Sequence, residues 1–113
     1  MTTEQEQAIE VLSKMEELLA TPDRWTKEAD ARDECGHEIR PTDPDAFCFC
    51  LNGAATACGA EGQIYRLIDE TLWEATGEEF WAESWNDAPE RTHSEVLEVL
   101  AKAKTLIASG EVK

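Results

Sequence analysis

Basic charge is what this sequence has least of. Against 25 Asp and Glu stand only 10 Lys and Arg, a formal net charge of −15 over 113 residues. Such a field repels phosphate, and no basic stripe with interleaved aromatics interrupts it, so direct binding to DNA or RNA is disfavoured. Long apolar runs are also missing. None approaches the ~20 residues of a membrane span, and no membrane segment is expected. The polar, acidic start from Met1 to Glu6 lacks a secretory pattern. The expectation is therefore a cytoplasmic protein whose Cys35, Cys48, Cys50 and Cys58 are free thiols. Internal repeats, low-complexity segments, a phosphate-cradling glycine loop, a dinucleotide fingerprint and a paired-histidine zinc motif are all absent, so no cofactor is expected.

What is present suits one packed acidic helical domain spanning residues 1–113. The hydrophobic share of 42% is ordinary for a globular chain, and four Trp and three Phe supply large core anchors. Thr3 and Glu6 have capping-box spacing, and Ala8, Val11, Leu12, Met15, Leu18 and Leu19 follow at helical period until Thr21-Pro22 stops the helix. From Trp25 to Arg40 the period is lost. Trp25–Lys27 and His37–Arg40 are expected as short strands around a turn at Asp33–Gly36, or as an irregular arm.

Thr42-Asp43-Pro44-Asp45 reads as the start of a central buried helix that carries Ala46–Leu51 and closes at Gly59. A third helix is predicted from Gln63 to Ala75, with Ile64, Tyr65, Ile68, Leu72 and Ala75 inward and Gly77 as its stop. Phe80, Trp81 and Trp85 follow in a turn or loop. Thr92 and Glu95 form a second capping box before a last helix with Val96, Val99, Leu100, Ala103, Leu106 and Ile107 inward, ended at Ser109-Gly110. The predicted fold is mainly α: about four helices around a single core, with a small β-hairpin or irregular arm near residues 25–40.

Several segments form a recognisable set. They are Trp25 with Ala31-Arg32-Asp33, Asp45-Ala46, Cys50-Leu51-x-Gly53-Ala54, and Trp85-Asn86-Asp87-x-x-x-Arg91-Thr92-His93-x-Glu95-Val96-Leu97. Together they resemble an uncharacterised family of small bacterial and bacteriophage proteins. The similarity runs from about Leu19 to Ala108, and the C-terminal motif is its most specific part. The resemblance implies a single domain and carries no activity. Cys50 occupies a family position, whereas Cys35, Cys48 and Cys58 depart from the pattern.

Three chemical readings compete. Cys35-x-His37 with Cys48-x-Cys50 offers four zinc-type ligands. On a helix, however, Cys48 and Cys50 would point about 200° apart, so buried structural thiols are the better account and no metal site is expected there. A thiol enzyme would need Cys50, a base in His93 and an orienting Asn86 or Asp87. A thiol buried mid-helix is silenced, and no cysteine-enzyme signature surrounds it. Trp25, Trp85, Asn86, Asp87, Arg91 and His93 also make a candidate cleft. Their structural reading, with Asn86 and Asp87 bonding turn amides, Thr92 capping a helix, Asp87 pairing with Arg91 and Trp85 covering the core, is favoured over a ligand site.

The third reading is the acidic surface itself. Glu6, Glu10 and Glu17 line one face of the first helix, and Asp69, Glu70, Glu74, Glu78, Glu79 and Glu83 crowd the third helix and the segment after it. Carboxylates at i and i+4 lie ~6 Å apart, comparable to phosphates along a nucleic-acid strand. The same charge also serves as a solvated, solubilising face. The functional expectation is a non-enzymatic acidic domain that binds a basic protein surface, in its sharpest form a phage or prophage inhibitor that mimics nucleic acid. The alternative is a small cysteine-dependent enzyme or ligand-binding domain centred on Cys50, Asn86, Asp87 and His93.

Overall fold

The computed structural model describes residues 2–77 and 82–110, without the side chains of Ala82 and Glu83. The chain order is α1 (Thr3–Leu18), a 3₁₀ turn (Pro22–Arg24), β1 (Ala31–Arg32), β2 (Cys48–Phe49), α2 (Leu51–Ala57), α3 (Gly62–Thr76), α4 (Ala82–Asp87) and α5 (His93–Ser109). The mainly helical fold with a small two-stranded element agrees with the sequence reading, and α4 is a fifth, short helix where a turn was expected. Glu78, Glu79, Phe80 and Trp81 lie outside the described residues.

The long helices α1, α3 and α5 pack on one another and supply most of the core. Their inward stripes are the ones the period predicts: Leu12 and Met15 from α1, Ile68 and Leu72 from α3, Leu100 and Ile107 from α5, all essentially excluded from solvent. Each such side chain is worth about 1.5–3 kcal/mol when fully buried. The ends follow the local chemistry. At α5 the capping box of Thr92 and Glu95 is fully formed, and Gly110 ends the helix in the left-handed region at φ 74°. Gly77 does the same for α3 at φ 66°. At α1 the box is built by Thr2 and Gln5 rather than Thr3 and Glu6. The helix starts one residue earlier than expected, because Gln at the third position returns to the cap amide as well as Glu does.

The expected central helix begins later than the sequence suggests. Ala46–Phe49 does not join it: the Phe47 amide donates to Arg32 O at 2.8 Å, and Cys48–Phe49 pairs antiparallel with Ala31–Arg32. Cys50 is the N-cap of α2, not a residue inside a helix. A short apolar run fits a buried strand as well as a buried helix, and aromatic residues in the run favour the strand.

The arm is likewise rearranged. The turn is where the sequence put it, with Gly36 at φ 87° and its amide on Asp33 O at 3.0 Å. Its strands are different: Ala31–Arg32 pairs mainly with Cys48–Phe49, while Glu38 makes only an isolated bridge to Arg32 and Trp25 one to Phe49. A two-residue ladder is too short to stand alone. What holds it is the set of contacts between the arm, the start of α2 and the end of α4.

Candidate functional site

Asn86 is the centre of that set. It is fully buried near the end of α4. Its Oδ1 accepts from the Trp25 indole Nε1 at 2.7 Å and from the Leu51 amide at 3.2 Å. Its Nδ2 donates to Thr26 O and to Asp87 Oδ1, each at 3.0 Å. The Leu51 amide belongs to the first turn of α2, which has no intrahelical acceptor, so Asn86 caps that helix from a distance of 35 residues in sequence. Both lone-pair directions and both N–H groups of the amide are therefore used.

The neighbours of Asn86 extend the clasp. Asp87 Oδ1 also accepts from the Glu28 amide at 2.8 Å. Glu28 sits at φ 65°, a left-handed conformation that costs a non-glycine residue on the order of 1 kcal/mol, and the Asp87 bond holds it there. Lys27 reaches across to Ala88 O at 2.7 Å and Pro89 O at 3.2 Å. Arg91 stacks on the buried Trp85 ring at 4.0 Å, donates to Trp85 O at 2.9 Å and pairs with Glu95 at 3.2 Å. The expected partner of Arg91 was Asp87; Glu95 takes that place because it lies one turn along α5, facing Arg91. The Thr92 amide, with smaller help from its hydroxyl and from Arg91, holds the Glu95 carboxyl below its usual range.

His93 opens α5 with its Nε2 2.6 Å from Leu19 O, and its ring lies 6.4 Å from the Trp25 ring. A carbonyl only accepts, so Nε2 carries the proton. His93 thus ties α5 to the end of α1.

Cys50 has its own structural task. Its Sγ accepts from the Gly53 amide at 3.3 Å as the cap of α2 and lies 3.8 Å from Asp30 Oδ1. The side chain is 2% exposed. Burial pushes the thiol up to about 11, against the opposing effect of the Gly53 amide and with a lesser contribution from the Asp30 charge. At neutral pH this is a thiol rather than a thiolate. On native protein at pH 8, mass spectrometry is expected to show alkylation at exposed Cys35 first and at Cys50 only after unfolding. The linkage has a definite sign. An acid whose folded pKa is raised stabilises the fold below the unfolded value near 9, and that stabilisation is lost as pH rises toward about 11. A Cys50 that is alkylated at pH 7 without unfolding would contradict this placement.

Sequence reading missed two members of the site. Asp30 O accepts from the Cys50 amide at 3.2 Å and lies where a Cβ on Gly53 would be, 1.8 Å from that position. Arg32 donates to Lys27 O, Gly36 O and the Thr26 hydroxyl, bracing the arm from inside. No local signal marks either role, since both depend on which strands meet. Of the four sulfur and imidazole groups considered together for zinc, Cys48 points to Arg32 O and Cys50 caps α2, while Cys35 and His37 remain on the exposed turn.

Among the described residues, the carboxylates predicted as a contact surface take no part in the bonds of the clasp. Glu6, Glu10 and Glu17 on α1 and Glu70 and Glu74 on α3 are exposed. Asp69 is half-buried, and its pKa is raised by burial and then by Glu70. The Glu83 side chain is outside the described residues.

Trp25, Arg32, Cys50, Leu51, Gly53, Asn86, Asp87 and Arg91, all from the segments singled out in the sequence, thus take part in this junction. The model of a family of unknown function, DUF6197, matches residues 3–106. The chain belongs to that family. No curated protein and no solved structure matches it. In this chain, Cys50-Leu51-x-Gly53-Ala54 is a helix cap followed by a close backbone crossing, and Trp85-Asn86-Asp87 is the hub that receives the arm.

Proposed function

We propose that this domain is a non-enzymatic acidic protein-binding module that works through its outward carboxylates on a basic partner surface, with a phage or prophage inhibitor mimicking nucleic acid as its specific form. One observation carries the reading: four of the ten basic side chains are turned to bonds within the fold, while a set of carboxylates faces outward. Arg24, Lys27, Arg32 and Arg91 all donate to backbone carbonyls within the fold. Glu6, Glu10, Glu17, Glu70 and Glu74 face solvent. With a formal net charge of −15, acidic groups predominate on the outer surface, where Lys14, Arg40, Arg66 and Lys102 are the exposed cations among the described residues and Lys14 pairs with Glu10 at 3.4 Å. Such a surface accelerates encounter with a basic patch and competes with phosphate for it.

Charge reversal tests the proposal. The triple variant Glu6→Lys, Glu10→Lys, Glu17→Lys changes exposed positions and is expected to keep its stability within about 0.5 kcal/mol per site. Capture of a basic nucleic-acid-binding partner from the extract of a native host should fall by ~10-fold or more, and duplex DNA should displace the wild-type protein from it. Equal capture by the triple variant, measured beside an equivalent Glu70→Lys, Glu74→Lys variant that also captures normally, would remove these faces from the binding surface.

A further inference from the structure

The exposed turn between Ala31–Arg32 and Glu38 contains a cluster that the clasp does not use. Asp33, Cys35 and His37 each offer one donor atom, and these atoms lie within 4.8 Å of one another. The sequence pairs Cys35 and His37 with Cys48 and Cys50, but the fold sends those two cysteines elsewhere and supplies a carboxylate instead.

The turn is held in place by its own bonds. Asp33 Oδ1 accepts from the Cys35 amide at 2.9 Å and the His37 amide at 3.0 Å, which leaves Oδ2 facing His37 Nδ1 at 3.4 Å. Arg32 fixes the far side of the loop through Gly36 O at 3.1 Å. The bonds from the His37 and Cys35 amides fix the Asp33 carboxylate in one orientation on the turn. Beside it opens a cleft of about 470 Å³ lined by Asp33, Glu34, Cys35 and Asp45, whose carboxylates favour a cation. The Arg24 guanidinium on the same cleft is engaged by Phe47 O at 2.6 Å and stacked on the Phe47 ring.

We propose that Asp33, Cys35 and His37 form a surface site for one zinc-class divalent ion, with solvent in the remaining coordination position. The donor set selects the metal class. One thiolate, one imidazole and one carboxylate suit zinc or cobalt and are a poor match to the all-oxygen preference of magnesium or calcium. Tetrahedral bonds of about 2.0–2.3 Å place donors roughly 3.3–3.8 Å apart. Exposed side chains on a fixed turn close that gap by rotation about their own bonds. Binding replaces the Cys35 S–H bond with an S–metal bond and releases the proton to solvent.

Cobalt(II) is the probe, because a thiolate ligand gives it a near-ultraviolet charge-transfer band that a carboxylate or imidazole does not. Titration of the reduced full chain should give that band at one equivalent, and added zinc should abolish it. Cys35→Ser should eliminate the band, and His37→Ala should weaken binding by more than the ~10-fold that loss of an outer-shell partner already costs. Both residues are exposed, so both variants should melt as the wild type does in the absence of metal. Cys58→Ser should leave the titration unchanged. Absence of the band, or a band that persists in Cys35→Ser, overturns the proposal.

Discussion

Asn86→Ala should unfold this protein at a temperature well below that of the wild type. The substitution leaves the Trp25 indole N–H, the Leu51 amide and Thr26 O without the partner that the fold gives them. A buried polar group stripped of its partner costs about 1–3 kcal/mol, and relaxation and entering water recover part of that sum. A loss of about 3–4 kcal/mol is expected, which corresponds to a fall in Tm of roughly 12–16 °C for a domain of this size. Asn86→Asp should cost at least as much, because it sets a carboxylate oxygen against Thr26 O and Asp87 Oδ1 where the amide donated. Gln63→Ala, on the exposed face of α3, should stay within about 0.5 kcal/mol of wild type. Thermal melts of the four proteins decide the matter. An Asn86→Ala variant within about 1 kcal/mol of wild type would mean that the junction is not what holds the arm.

Gly53→Ala reverses an ordinary rule. Within a helix the change from glycine to alanine normally stabilises by about 0.5–1 kcal/mol. Here the added methyl would lie 1.8 Å from Asp30 O and 2.6 Å from Asp30 C, both backbone atoms. Side-chain rotation cannot relieve that overlap, and moving Asp30 also disturbs the bond from the Cys50 amide. Destabilisation of about 3 kcal/mol is expected, at the upper end of overpacking costs. Equilibrium denaturation in urea measures it, and a neutral or stabilising result would contradict the crossing described between the arm and α2. Both effects come from residues that look unexceptional in composition: one asparagine and one glycine at the place where three segments meet.

The long helices were legible because their information is local. The period of Val11, Leu12 and Met15, or of Val96, Val99, Leu100 and Ala103, states which face is buried before any partner is known. The caps at Thr92 and Gly110 state where α5 starts and stops. The segment from Trp25 to Leu51 was legible only at its turn. Phe47-Cys48-Phe49-Cys50 became a strand and a helix cap because Arg32 O, Asp30 O and the Thr26 amide arrive from the arm, and no pattern within the run announces them.

The Trp-Asn-Asp…Arg-Thr-His segment was recognisable as a unit, and its capping residues read correctly. The hub role of Asn86 was not recoverable, since Trp25 and Leu51 lie 61 and 35 residues away from it. The exposure of Glu6, Glu10 and Glu17 was readable, because it follows from the same period that buries Leu12, whereas the half-burial of Asp69 was not.

These observations divide the chain by task. Trp25, Asn86 and Asp87 hold the arm to the helices, and the exposed carboxylates of α1 and α3 are the surface proposed to meet a basic partner. The most direct test of that division is the salt dependence of partner affinity, measured by calorimetry with the captured basic protein between about 0.05 and 0.5 M salt. The account predicts a fall in affinity of ~10-fold or more as the exposed charges are screened, with the melting curve of the domain alone little changed. Affinity that stays constant across that range would contradict a contact made through the acidic surface.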